Sequence, residues 1–246
     1  MGSVIVVTSG KGGVGKTSLT AGVGTGLAGL GRVVLCIDMD VGLRNLDISL
    51  GMTDAVLMDF TDVMTGRCSL EKAVAPHPGI PNLYLLTAPL TLPGEDLREE
   101  DLETLLNEAR YCYDDILLDC PAGIGPGFRL ATRFADRALV VATTDPSSLR
   151  DAQRVVGQLS STISNIRLVV NRVQPRLLRR LGSTIDDVMD STGLPLLGVV
   201  PEDPQVVLAA SAGRALLQTS RKGAAVAYLN VAKRLTGQRV PLMKIR

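Results

Sequence analysis

The octapeptide Gly10-Lys11-Gly12-Gly13-Val14-Gly15-Lys16-Thr17 constrains this chain more than any other feature. It fits G-x-x-x-x-G-K-[ST], and its flanks fit too, with the apolar run 4–7 before it and a helical pattern over 16–30 after it. That context predicts a strand, a phosphate-binding loop and a helix in succession. Glycines let the backbone fold into a nest of N–H groups around an anion. The following helix aims its positive end at the same point. Lys16 can then reach phosphate oxygens, and the Thr17 hydroxyl can ligate Mg²⁺. A glycine-rich turn with an incidental lysine is the competing reading, and the matched flanks weigh against it.

The rest of the chain repeats the strand–helix alternation. Short apolar runs fall at 4–7, 33–37, 83–86, 116–118, 138–141, 168–170 and 196–200. Continuous runs of this kind read as strands covered on both faces. Helical patterns lie between them at 16–30, 101–110, 126–134, 148–160, 184–191 and 223–235. The pattern predicts one α/β domain over 1–246: a doubly wound, mainly parallel sheet of about seven strands with helices on both faces. A length of 246 residues suits one such domain. Aromatics make up only 3% of the chain, so the core has to be aliphatic. The stretch 54–81 is the least regular, and Pro76, His77, Pro78 and Gly79 form a turn cluster.

A net charge of +1 gives no call for nucleic acid. The cysteines Cys36, Cys68, Cys112 and Cys120 form no C-x-x-C pair, so no zinc or redox motif is implied. No signal peptide or bilayer-spanning run is visible, and a reducing cytoplasm fits.

Two further segments carry carboxylates. In Cys36-Ile37-Asp38-Met39-Asp40 the two acids have period-two spacing at the end of an apolar run. In Ile116-Leu117-Leu118-Asp119-Cys120-Pro121-Ala122-Gly123 an apolar strand ends in Asp, the Walker B arrangement. Parallel sheets bind ligands at such strand ends. Asp119 would hold Mg²⁺ through water, Asp38 or Asp40 would support the metal shell or a water, and the Pro-Ala-Gly turn would approach a γ-phosphate. A charged strand-to-helix turn with an Asp cap is the alternative for the Asp38 segment.

A second lysine in the loop, Lys11, resembles the signature of the deviant Walker A class. Taken together, SGKGGVGKTS, DMDVGLRNLDI, LLDCPAGI, SSLRDA and GVVPEDPQV, spread from Ser9 to Val206, resemble the MinD/ParA family, with GLRNLDI and PAGI nearest its MinD branch. The resemblance implies an ATP/ADP and Mg²⁺ site in which Gly12, Gly13, Val14, Gly15, Lys16, Thr17 and Ser18 hold the phosphates. It makes Lys11, Lys16 and Asp40 catalytic, Asp40 through an attacking water, and Thr17, Asp38 and Asp119 the metal set. It implies adenine contacts from Asn171 and Pro201-Glu202-Asp203, and a partner and dimer surface around Arg150 and Asp151. The activity implied is ATP hydrolysis to ADP and phosphate, slow until a partner stimulates it, in an ATP-dependent homodimer whose Lys11 crosses to the partner's nucleotide. The role implied is septum placement in bacterial division. Its partners would be a division inhibitor of the MinC kind and an activator of the MinE or DivIVA-system kind.

The tail 237–246 departs from the family, whose MinD members end in an amphipathic basic helix. Only about one and a half turns at ~3.6 residues each could follow Pro241. Leu242, Met243 and Ile245 could touch lipid while Lys244 and Arg246 meet anionic headgroups. A frayed end is the other reading, and length favours it. The expected location is cytoplasmic, with peripheral attachment to the inner face of the membrane in the ATP form as an alternative. Rival roles are a DNA-binding ParA-type partitioning ATPase and a flagellar-number regulator. Arg176, Arg179 and Arg180 form a basic cluster that a DNA reading would use, and a solvated helix face is its plainer meaning. A metallocluster relative would need a symmetric cysteine pair, which the sequence does not offer.

Overall fold

The structure is a computed structural model that describes residues 1–53, 58–91 and 98–243. Its strands are β1 Ser3–Thr8, β2 Val34–Asp38, β3 Ala75–Pro76, β4 Leu83–Leu86, β5 Asp115–Asp119, β6 Arg137–Ala142, β7 Asn165–Val173 and β8 Leu196–Pro201. The helices α1 to α6 are Lys16–Gly29, Leu46–Leu50, Phe60–Met64, Leu70–Ala73, Glu99–Cys112 and Pro126–Thr132. Those from α7 to α12 are Pro146–Leu159, Pro175–Leu181, Ile185–Thr192, Gln205–Ser211, Leu216–Thr219 and Gly223–Leu235.

One sheet of eight strands runs in the order β3-β4-β2-β5-β1-β6-β7-β8. Every neighbouring pair is parallel except β3 with β4. Strand alternation divides the aliphatic core into two layers. Val4, Val6, Leu35, Ile37, Ile116 and Leu118 face one layer, which also holds Phe60, Leu105, Phe128 and Val155 from the covering helices. Ile5, Val7, Val34, Cys36 and Leu117 face the other, against Leu19, Val23, Leu27, Tyr228 and Val231 of α1 and α12.

All seven expected strands are present, and β3 is an addition inside the Pro76 turn cluster. The single histidine pins that edge. His77 Nδ1 accepts the Gly79 N–H (3.0 Å), which leaves Nε2 to donate to the Leu50 carbonyl (2.9 Å). The second departure is β7, which extends to Val173 and shifts register between Val170 and Val173. The shift is a bulge, a device that re-aims side chains beside a site.

The tail has no regular structure over Gln238–Met243, and it is not frayed there. Arg234 donates to the carbonyls of Val240 (3.2 and 3.0 Å) and Pro241 (2.9 Å), and Met243 packs on the core. Lys244, Ile245 and Arg246 lie outside the described residues. Among the described residues no helix is long and apolar enough to cross a membrane.

Candidate functional site: a phosphate loop at three strand ends

Because β1 lies between β5 and β6, with β2 next to β5, the C-terminal ends of β1, β2 and β5 open at one place. In the register, Val7 is level with Asp119, and Asp38 with Asp119. The loop leaving β1 and the two carboxylates therefore share one crevice, where open α/β sheets bind ligands.

Two close approaches shape the loop. Gly15 has φ 91°, and a Cβ there would lie 2.4 Å from Asn171 Nδ2. At Gly10 a Cβ would lie 2.3 Å from the Asp151 carbonyl oxygen, so the loop sits directly on α7. Gly13 is also left-handed (φ 76°). The result is a bare cradle of backbone N–H groups entering α1, with Lys16 buried at its mouth. This is the surface a phosphate chain needs. The Pro121–Gly123 turn closes over it, with Gly123 N–H donating to the Ser9 carbonyl (3.3 Å).

Asp119 is buried beneath the loop. Thr20 donates to its Oδ1 (3.1 Å), and the Thr17 hydroxyl is beside it. Burial pushes its carboxyl up to about 7, neighbouring Asp38 adds to the rise, and Thr17 and Lys16 oppose it. A buried carboxylate with a threonine hydroxyl is a hard oxygen donor set, which suits Mg²⁺ held jointly by protein, phosphate and water.

Asp38 is used differently from a free ligand. Its Oδ1 accepts the Asp40 N–H (2.9 Å), and its Oδ2 accepts those of Asn45 (3.1 Å) and Leu46 (3.0 Å). It thereby ties down the 40–46 loop and serves the N-terminus of α2. Burial is the main reason its carboxyl is raised. Asp40 is half-buried and also raised by burial, with Lys16 pulling the other way.

Lys11 is held at the start of α7. Its Nζ donates to Ser147 Oγ (2.7 Å) and Asp145 Oδ1 (3.3 Å). Burial alone would raise Asp145, but hydrogen bonds from Ser147, Thr143, the Ser148 N–H and Lys11 hold it well below the usual carboxylate range. Arg150 is exposed on the same helix, and Asp151 pairs with Arg154 (3.6 Å).

Beside the loop, a cleft of about 370 Å³ is lined by Gly13, Ser18, Asn171, Pro201, Glu202 and Asp203. All the expected adenine contacts meet there. Asn171 acts partly on the loop, donating from Nδ2 to the Val14 carbonyl (2.8 Å). Arg172, at φ 54° in the β7 bulge, donates to the Gly13 carbonyl and to Glu202 (2.9 Å each). Tyr228 of α12 forms part of the wall.

The sequence reading missed Arg172, Tyr228, Asp145 and Ser147. Asp145-Pro146-Ser147-Ser148 does carry the mark of a helix start, an Asp cap before Pro. Nothing local marks the other two, which reach the cleft through a bulge and a distant helix. Cys36, Cys68, Cys112 and Cys120 are free thiols, the first and last buried.

Residues 5–217 match the family model described as the CobQ/CobB/MinD/ParA nucleotide binding domain. The chain is 38% identical over 246 residues to the septum site-determining protein MinD of Synechocystis sp., covering 99% of this chain and 92% of that one. It is similar to the MinC:MinD cell division protein complex of Aquifex aeolicus (TM-score 0.92, 39% identity, 98% of both chains). It is also similar to the septum site-determining protein of Pyrococcus horikoshii complexed with Mg-ADP (TM-score 0.84, 29% identity, 96% of both chains).

Proposed function

The chain belongs to the CobQ/CobB/MinD/ParA nucleotide-binding family, and from that premise we propose that it is a septum site-determining ATPase. On this reading it binds ATP with Mg²⁺, dimerises, and hydrolyses ATP to ADP and phosphate, and that cycle regulates where a bacterial cell divides. The observation that carries this reading is the meeting of the phosphate loop, Lys16, Asp40 and Asp119 at three adjacent strand ends, beside a cleft of about 370 Å³.

Each residue has a role that follows from its place. Backbone N–H groups over Gly12–Ser18 bind the phosphates, and Lys16 reaches the β and γ oxygens. Thr17 and Asp119 hold the cation, which supplies charge neutralisation at the transferred phosphoryl group. Asp38 supports that arrangement from behind, because its two oxygens fix the loop that carries Asp40. Asp40, poised near Lys16, orients the attacking water. Asn171, Pro201, Glu202 and Asp203 bracket the base.

Lys11 is the dimer element. In the single chain its charge is held by Asp145 and Ser147. A second subunit's nucleotide offers a stronger anion, and Lys11 leaves α7 for it, so nucleotide state sets dimer state. Leu43, Leu90 and Ile124, exposed on or beside the two loops that border the phosphates, supply apolar area for that interface.

A division inhibitor of the MinC kind is the partner this reading assigns, and a chain similar to this one is known in such a complex. An activator of the MinE or DivIVA-system kind would act at the α7 surface around Arg150 and Asp151. The protein then works in the cytoplasm and, ATP-bound, at the inner face of the membrane. DNA is not assigned, because the net charge is only +1 and the expected cluster of Arg176, Arg179 and Arg180 is confined to one short helix.

The test is steady-state ATP hydrolysis with Mg²⁺ for the wild type, Lys16→Ala and Asp40→Ala. Turnover is expected to fall about a hundredfold in both variants. Asp40→Ala should still bind ATP, whereas Lys16→Ala should not. Undiminished turnover in Asp40→Ala would contradict the assignment of that residue.

A further inference from the structure

At the N-terminal edge of the sheet, opposite the nucleotide crevice, lies an open cavity of about 940 Å³. It is bordered by Ser3, Asp115, Arg137 and Asn165, at the starts of β1, β5, β6 and β7, and by the end of α12 with the tail that follows. Among the described residues, five arginines face it, Arg32, Arg137, Arg167, Arg234 and Arg239, against one carboxylate, that of Asp115. Arg32 pairs with Asp115. The other four have no carboxylate partner among the described residues.

The cluster is held in place. Arg234 spends its donors on four contacts to backbone carbonyls, Leu197 (3.0 Å), Val240 (3.2 and 3.0 Å) and Pro241 (2.9 Å). This fixes the wall formed by the tail. Arg137 uses Nη1 on the Leu235 carbonyl (3.2 Å), and Arg167 uses Nε on Asn165 Oδ1 (3.2 Å). Both keep further N–H groups for an occupant. Asp136 offsets part of the charge of Arg137, but guanidiniums that outnumber the carboxylates around one space repel each other, and the repulsion is relieved when an anion enters. Planar guanidinium forks match phosphate oxygens two at a time.

We propose that this edge cavity is a second anion site, which takes a group bearing several phosphates between Arg137, Arg167 and Arg239. It is independent of the nucleotide crevice, from which the whole length of the strands separates it. The phosphates can come from a free oligophosphate or from the headgroups of an anionic membrane, since the cavity adjoins the tail and its exposed Leu242.

The test uses the full chain saturated with ADP and Mg²⁺, so that the phosphate loop is filled. Tripolyphosphate is titrated calorimetrically, and phosphatidylglycerol–phosphatidylcholine vesicles are cosedimented with the protein. The variants are Arg137→Gln/Arg167→Gln, Arg239→Gln alone, and Arg176→Gln/Arg180→Gln on α8. Arg239 has an exposed side chain in the tail, so its substitution keeps the test valid if the double variant fails to fold.

Saturable tripolyphosphate binding, weakened tenfold or more by the edge substitutions and not by the α8 pair, supports the site with a free ligand. Vesicle binding with the same variant pattern supports it with lipid as the source. The proposal is overturned if neither probe binds, or if binding is unchanged in the edge variants or falls equally in the α8 pair. ADP affinity, measured separately, reports on the nucleotide site, so failure here leaves that reading untouched.

Discussion

Asp119 is a carboxylate buried where its charge is disfavoured until a cation arrives. Its carboxyl is raised to about 7, first by burial and then by Asp38. A group raised in the folded state contributes stability that is complete below its unfolded value and is lost as pH rises through the folded one. Nucleotide-free protein should therefore lose on the order of a few kcal/mol between about pH 4 and pH 7 from this group. Asp119→Asn should flatten that decline, which calorimetric melts across the range will show; equal slopes in both proteins would place the titration elsewhere. Affinity for Mg–ADP should rise with pH over the same window, because the proton must leave before the cation binds. Asp38 makes a second prediction. Asp38→Ala removes the acceptor of three backbone N–H groups. It should cost about 2–4 kcal/mol, read by denaturant melts, and lower kcat through misplacement of Asp40. A variant as stable as the wild type would show that the loop does not depend on it.

The elements meet where side chains are absent. On α1 a Cβ at Gly22 would lie 2.2 Å from the Tyr228 ring of α12. Gly22→Ala should destabilise by about 1–3 kcal/mol through overpacking. Because Tyr228 also lines the cleft proposed for adenine, the same substitution should weaken ADP binding more than binding of pyrophosphate. Equal loss for both ligands would detach Tyr228 from base recognition. At this scale the strands were the most legible part of the sequence, since each is a continuous apolar run buried in both layers. Of the helices of four to seven residues only α6 falls in an expected helical pattern; α2, α3, α4, α8, α10 and α11 do not, because so short a segment gives little amphipathic periodicity to read. The edge strand β3 escaped because its pairing partner, not its own Ala75-Pro76, makes it a strand. The phosphate loop was legible because its chemistry needs fixed residues at fixed spacing. Arg172 was not, because it depends on a bulge formed between β7 and β8.

At the scale of the molecule, the parallel sheet sorts charge to its two ends. The nucleotide crevice opens at one end and the arginine cavity at the other, with two aliphatic layers between. Lys11 is held at the start of α7 and is assigned to complete the crevice of a second subunit. Asp145→Ala removes the carboxylate that holds it and should let the ATP dimer form at a several-fold lower protein concentration. The central claim, a nucleotide-gated dimer closed by Lys11, is tested most directly by size-exclusion chromatography with light scattering in ATP and in ADP. Wild type, Lys11→Ala and Asp40→Ala are compared. The account predicts a wild-type monomer with ADP and a dimer with ATP, a dimer that persists in Asp40→Ala, and no dimer in Lys11→Ala. A Lys11→Ala protein that dimerises with ATP as the wild type does, or a wild type that stays monomeric in every nucleotide state, would contradict it.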